Sequence, residues 1–343
     1  MTEDIVNEQP WDVIIVGGGA AGLNAALVLA RARRRVIVVD AGAPRNRFAA
    51  HMHGFLTRDG MSPLELLELG RAEVLGYGAT ILSGRAVTAT GEAGAFEVTV
   101  EPAGDPDATT PIRETGTPAI TATRTLRARR LLIATGLRDE LPAIPGLAEQ
   151  WGTGAVACPY CDGWESRDKR IGVLTTSPMS AHQATLVRQW SADITVIGTA
   201  VTDFAPEIRA GLEARGTRVI PTPVAEVLSD TEGTLTGVAL ADGTTVPLDT
   251  LFVGSRLTPN DDLLHQLGAA TTDTPMGPWT ASDPTGLTSV PGLYVAGNSA
   301  TAHLLVIAAA ASGLTAATVI NADLVTTETQ EAVAAHSLSP KSA

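Results

Sequence analysis

The stretch "WDVIIVGGGAAGLNAALVLARARRRVIVVDAG" at positions 11–42 leaves the chain few folds to choose from. Val13 to Val16 form a β-branched run suited to a strand buried on both faces. Leu23 to Ala32 have the small-residue pattern of a helix, and Val36 to Val39 form a second buried strand. Between the first strand and the helix stand Gly17, Gly19 and Gly22. Gly17 permits the tight turn, Gly19 lets the backbone reach a pyrophosphate, and Gly22 allows the helix to pack closely. The helix N-terminus at Ala20 and Ala21 offers N–H groups and a positive dipole end. Asp40, eighteen residues beyond Gly22, ends the second strand and is placed to accept hydrogen bonds from ribose hydroxyls. These features predict a dinucleotide site without deciding between NAD and FAD.

The same template returns as "RIGVLTTSPMSAHQATLVRQWSADITVIGTA", offset by 158 residues without a gap, so that "VIVV" at 36–39 lies over "ITVI" at 194–197. Two Rossmann-type units are therefore expected. At every signature position the second has changed: Gly17 maps to Thr175, Gly19 to Ser177, Gly22 to Ser180 and Asp40 to Gly198. Ser180 is small enough for helix packing. Thr175 is β-branched where the turn wants glycine, Ser177 puts a side chain where backbone would meet phosphate, and Pro178 lacks an N–H. Proline suits a first helical turn, so the helix is expected to persist while its phosphate cradle does not.

These units predict an α/β chain of two Rossmann-like domains with three-layer ββα architecture. The alternating segments "GRAVTAT" and "GAFEVTVEP" suggest a small antiparallel sheet, and "PAGDPDATTPIRETGTPAITATRT" an exposed hairpin excursion. After the second unit come strands near Val219 to Val227 and Leu235 to Leu240, then "TLFVGSRLTPN" as a crossing segment. "GLYVAGNSATAHLLVIAAAASGL" begins a strand and a long helix. The final "TQEAVAAHSLSPKSA" reads as a frayed tail.

With 24 basic against 37 acidic residues, net charge −13, nucleic acid and anionic membrane are not expected partners. "RARRR" at 31–35 reads as a solvated helix end beside the negative end of the helix dipole. The first eleven residues lack the charged start and apolar core of a signal peptide, and no apolar run of about 18 residues is evident. A cytoplasmic location is the expectation.

Both cysteines of the chain lie in "ACPYCDGWE" at 157–165. Structural zinc wants four Cys or His ligands, so no metal is expected. A disulfide across so short a loop would constrain little of the unfolded chain, and a reducing compartment would oppose it. A reversible redox pair fits better.

"LLIATG" at 131–136 and "GLYVAGN" at 292–298, taken with the first unit, resemble the pattern of two-domain flavoprotein disulfide reductases. The chain resembles low-molecular-weight thioredoxin reductases over nearly its whole length, with CPYCD where those enzymes carry their active dithiol. The run CPYCDGWE, the stretch "SPMSAHQATLVRQWS" and "HGFLTRDG" are similar to the branch that oxidises dithiols in natural-product assembly, of the gliotoxin, holomycin and romidepsin type.

That resemblance implies FAD as cofactor. The glycine turn at Gly17, Gly19, Ala20, Ala21 and Gly22 would hold its pyrophosphate, and Asp40, Ala41, Arg45 and Asn46 would wrap the adenosine end. Ala134, Thr135 and Gly136 close a strand beside the ligand. Gly297 and Asn298 would meet the ribityl chain, and Leu305 and Val306 would face the isoalloxazine, with His53 as a flavin contact and His303 as a further candidate near the helix start. Most relatives carry Asp where this chain has Asn298. The FAD-binding domain would comprise residues 1–140 and 255–343, and residues 141–254 a degenerate NADPH-type domain carrying the CxxC; the family's arginines for a 2′-phosphate are missing from "GTAVTD".

The implied reaction runs from a small-molecule dithiol to Cys158, which exchanges disulfides with it. Cys161 then faces the flavin, Asp162 moves protons, and oxygen is the final acceptor, yielding hydrogen peroxide. Two alternatives stay open: a thioredoxin or disulfide reductase fed by NADPH in an altered mode, ferredoxin or another flavoprotein, and a flavin-bound sensor module. A homodimer is expected from the resemblance alone.

Overall fold

A computed structural model describes residues 9–103 and 120–338. The chain divides into two compact units, one of Met1–Arg45, Leu64–Arg138 and Pro259–Ala343, the other of Asn46–Pro63 and Asp139–Thr258. The segment at 46–63 thus groups with the second unit rather than with the flanking parts of the first. Most of the hairpin excursion expected at 102–125 lies outside the described residues.

In the first unit a parallel sheet runs in the order Thr80–Ser83, Val36–Asp40, Trp11–Val16, Arg124–Ile133, with Leu293–Val295 parallel to the last. The long strand Arg124–Ile133 also pairs antiparallel with Phe96–Glu101, which pairs with Arg85–Thr90. Alternation along Trp11–Val16 makes the layers: Val13 and Ile15 pack with Leu29, Ala316 and Ile320 on the helical side. Ile14 and Val16 pack with Phe96, Val98 and Leu126 on the other. Burial on both faces is why this strand shows no polar alternation.

The second unit repeats the plan. Its parallel sheet runs Arg218–Ile220, Ile194–Ile197, Ile171–Leu174, Thr250–Val253, Ala155–Val156. An antiparallel sheet of Val224–Ser229, Leu235–Leu240 and Thr245–Pro247 supplies the third layer. Val13 pairs with Val36, and 158 positions on Ile171 pairs with Ile194. The repeat therefore keeps its register.

Two expectations need correction. The frayed tail is helical as far as Leu338, the end of the 33-residue helix Val306–Leu338. Its last turns hold good helix formers such as Ala, Glu and Gln, and Glu328 accepts hydrogen bonds from Arg34 and Arg129. This helix is also long and apolar enough to cross a bilayer, with a window of mean hydropathy 1.3. Its apolarity comes largely from alanine and valine, and Ala309, Gly313, Ala316, Ala317, Ile320 and Leu324 are buried within the first unit. Asp323 on its flank pairs with the buried Arg130.

Candidate functional site

The strand ends of the first unit knit the glycine turn in place. Gly17 N–H donates to Val39 O at 2.8 Å, Ala134 N–H to Val16 O at 2.7 Å, and Ala296 N–H to Ile133 O at 3.0 Å. Gly17 has φ +108°, and a Cβ there would lie 2.3 Å from Ala134 O. A Cβ on Gly22 would lie 1.9 Å from Gly17 O. The fold itself therefore requires both glycines. Gly19 is different, with φ −77° and nothing within 4 Å of its Cβ position. The folded chain alone has no need of glycine at 19. The space left there, beside the uncapped helix start at Ala20 and Ala21, suits a phosphate group.

Asp40 is held from two sides: Oδ1 accepts the Gly18 N–H at 3.0 Å and Oδ2 accepts Arg71 Nη2 at 2.6 Å. A carboxylate has about four acceptor positions, so capacity for a ribose hydroxyl remains. Sequence reading missed Arg71, which is 6% exposed between Leu67 and Val74 on the buried face of Pro63–Gly76. An arginine breaking an apolar i, i+4, i+7 stripe was the available signal. Ala41 and Arg45 follow Asp40, half-buried.

At the neighbouring strand ends Ser299 Oγ accepts Gly136 N–H at 2.6 Å, and Thr135 Oγ1 donates to Asn260 O at 2.5 Å. Gly297 N–H donates to Ser312 Oγ at 2.8 Å. Ser299 and Ser312 had no signal in the sequence, since each acts only through the fold. Asn298 Nδ2 donates to the carbonyls of Thr301, Ala302 and Leu304 at 3.1, 2.9 and 3.3 Å. Asn298, expected at the ribityl chain, thus also ties together through its Nδ2 the loop leading to Leu305 and Val306. Asn298→Asp removes the donor and faces a charge to those carbonyls. It is expected to destabilise the protein by about 1–3 kcal/mol, measured by urea unfolding.

The corresponding loop of the second unit is closed on itself. Thr175 N–H meets Ile197 O at 2.8 Å, the counterpart of the Gly17 bond, but Thr175 does not take the left-handed backbone of Gly17. Its Oγ1 donates to Ile197 O at 3.0 Å, and a Cβ on Gly198, the counterpart of Asp40, would lie 2.7 Å from Thr175 Oγ1. Thr176 N–H donates to Ser180 Oγ at 3.1 Å, Thr176 Oγ1 to Gly254 O at 2.7 Å, and Ser180 N–H to Ser177 O at 3.0 Å. The loop thus bonds to itself through Thr175, Thr176 and Ser180, and it carries side chains at the positions that Gly17 and Gly19 hold in the first unit.

The dithiol also lies in the second unit. Cys158 precedes the short helix Pro159–Asp162, and its carbonyl accepts the N–H groups of Cys161 and Asp162, both at 3.0 Å. Proline in the first helical position lacks only an N–H that would have no helical partner. Gly163 lies against Trp190, whose ring a Cβ would meet at 2.7 Å, and Tyr160 packs edge-on to Trp190 with centroids 5.9 Å apart. The two cysteines are in the reduced, dithiol form. A hydrogen bond from Cys161 lowers the Cys158 thiol to about 7 against the opposing effect of burial; the amides of Cys161 and Tyr160 assist and the charge of Asp162 opposes. Burial, then repulsion from Glu165, raises the Asp162 carboxyl to about 6, with His53 pulling the other way. A nucleophilic thiol and a proton-exchanging carboxyl thus titrate close to neutrality.

His53 and Asn46 fall in the second unit. His53 lies 3.3 Å from Asp59 through Nδ1 and 3.6 Å from Glu165 through Nε2. His303 is exposed in the loop before the long helix.

Residues 11–316 match the family described as pyridine nucleotide-disulphide oxidoreductase. The chain is similar to thioredoxin reductase sirT of Leptosphaeria maculans, 30% identical over 91% of this chain and 93% of that protein. Thioredoxin reductase aclD of Aspergillus oryzae is 29% identical over 84% and 88% respectively. Among solved structures, that of HlmI is 43% identical with TM-score 0.84, covering 96% of this chain and 98% of that one. An oxidoreductase from Agrobacterium tumefaciens is 35% identical with TM-score 0.80, covering 92% and 99%.

Proposed function

Since the chain belongs to the pyridine nucleotide-disulphide oxidoreductase family, a family of FAD-binding redox enzymes, we propose that it is a dithiol oxidase forming a disulfide in a small-molecule dithiol. The observation that carries this reading is the contrast between the open glycine turn at Gly19 and the self-bonded loop at Thr175 to Ser180. One loop leaves space for a phosphate at Gly19, and the other carries side chains and internal bonds at the matching positions.

A substrate thiolate attacks Cys158 of the oxidised pair, and the Cys161 thiolate departs. The second substrate thiol then attacks the sulfur bound to Cys158, releasing a cyclic disulfide and leaving the enzyme dithiol. Asp162 takes up and returns the protons of these exchanges at its carboxyl oxygens. The residues around Gly19 and Asp40 would hold FAD, which when bound would supply a two-electron acceptor for the reduced pair; oxygen as terminal oxidant would then yield hydrogen peroxide. The resemblance supports a homodimer.

The names of the relatives, thioredoxin reductases, favour a second reading, reduction of a disulfide, with NADPH in an altered mode, ferredoxin or another flavoprotein as the donor. Anaerobic titration of the flavin band near 450 nm decides. Bleaching by a dithiol such as dithiothreitol but not by NADPH is the expected result; rapid bleaching by NADPH overturns the proposal in favour of the reductase, and bleaching by neither leaves a sensor.

A further inference from the structure

The acid that ends the second strand sits in a seat made by two residues outside the GxGxxG motif positions. Gly18 lies between the motif glycines and is not left-handed, yet a Cβ there would lie 2.6 Å from Asp40 Oδ2 and 2.9 Å from Asp40 Cβ. Glycine at 18 thus makes room for the carboxylate, and its N–H donates to Oδ1 at 3.0 Å. From the other side Arg71 Nη2 donates to Oδ2 at 2.6 Å, with the arginine side chain 7% exposed and that of Asp40 15%. Enclosing such a pair costs desolvation that a surface pair escapes. The fold does not demand it. The second unit keeps the strand register with the sizes exchanged: Thr176 stands at the place of Gly18, and Gly198, which has no carboxylate, at that of Asp40. Sheet and turn form there without the acid, so the pair accompanies the turn that is open at Gly19.

We propose that Arg71 is a positioning residue for adenosine recognition: with Gly18 it holds the Asp40 carboxylate in the orientation in which its remaining lone pairs accept the ribose hydroxyls of FAD. The inference rests on FAD binding and not on the direction of electron flow, so it stands or falls apart from the oxidase reading. Each carboxylate oxygen has one protein donor and about one further acceptor position. A carboxylate turning freely would spend that capacity on water. One gripped at both oxygens is preorganised and has little freedom left to lose when the ligand arrives. Arg71 also offsets the charge of Asp40 beside the turn that suits an anionic pyrophosphate.

The test is a binding cycle on the FAD-free full chain, read by flavin fluorescence, with FAD and an FAD analogue carrying 2′,3′-dideoxyadenosine as the probes. Wild type is expected to bind the analogue at least about tenfold more weakly than FAD, the worth of a hydrogen bond to a charged group. Arg71→Met keeps an apolar stem and removes the donor. It should bind FAD at least about tenfold more weakly and distinguish the two probes by less than about threefold. Gly18→Ala, whose methyl would displace the carboxylate, should lose the distinction likewise, and Arg71→Lys, which keeps a cationic donor, should recover part of it. An ion pair that only supported the fold would weaken both probes by one factor and leave their ratio at the wild-type value. That outcome overturns the proposal, as does equal binding of the two probes by wild type or an unchanged FAD affinity in Arg71→Met. Urea unfolding of the FAD-free chain identifies a variant that has lost its fold; should Arg71→Met do so, Arg71→Lys and Gly18→Ala carry the same comparison. None of these readouts needs turnover.

Discussion

Replacing Cys161 by alanine is expected to abolish dithiol oxidation, with kcat falling by at least about 10³-fold, a loss of roughly 4 kcal/mol or more of barrier reduction. Without the second sulfur the pair cannot close, so a substrate thiol has no disulfide to attack. The variant should also change the remaining thiol. The Cys161 hydrogen bond is the largest influence holding Cys158 down at about 7. Alanine removes it, and burial together with the negative Asp162 then drives the Cys158 thiol upward. Cys161→Ser keeps a donor and should leave Cys158 lower than Cys161→Ala does. Alkylation rates against pH check the sign: wild-type reduced protein should gain reactivity as pH rises through about 7, Cys161→Ser later, and Cys161→Ala last. Equal midpoints in the two variants would mean that the thiol of Cys161 does not hold Cys158. The double requirement, lost turnover and ordered midpoints, separates chemistry from damage to the fold.

Gly17→Val should prevent the chain from folding around FAD, whereas Gly19→Ala should fold and bind it poorly. At Gly17 the backbone sits at φ +108° and a Cβ would come within 2.3 Å of Ala134 O. A β-branched residue there combines left-handed strain with a backbone clash, and destabilisation above about 4 kcal/mol follows. At Gly19 the backbone already has φ −77° with open space around it, so alanine should change stability by less than about 0.5 kcal/mol. The methyl group would occupy the space beside the helix start, and FAD affinity should fall at least about tenfold, equivalent to about 1.4 kcal/mol. Urea unfolding of the FAD-free chain and flavin absorbance on reconstitution measure the two effects independently. A Gly19→Ala protein with unchanged FAD affinity would remove the argument that this space belongs to the pyrophosphate.

Much of the fold was legible because parallel strands buried on both faces must be apolar throughout. Val13 to Val16 and Ile194 to Ile197 announce themselves, and the offset of 158 aligned even the register of the pairs. Gly17 and Gly22 were legible for the same reason: backbone crowding admits no other residue there. Side chains whose work is set by tertiary contact were not. Arg71 reaches Asp40 across 31 positions, and Ser312 reaches Gly297 from a later turn of the long helix. Asn298 shows the limit within a motif. Its residue type was visible, but whether its amide serves a ligand or the loop depends on where the carbonyls of Thr301, Ala302 and Leu304 lie. His53 was noticed as part of "HGFLTRDG", while its contacts with Asp59 and Glu165 required the folded loop. The helical tail escaped notice because its support comes from Arg34 and Arg129, far upstream.

The closed loop at Thr175 to Ser180 has a metabolic corollary. If the proposed oxidase reading holds, an enzyme whose second loop has lost its glycines would work at a pace set by substrate and oxygen, indifferent to whether the cell's reducing currency is full or depleted. Such a catalyst would keep closing disulfides in a strongly reducing cell, with release of the finished ring making each turn hard to reverse.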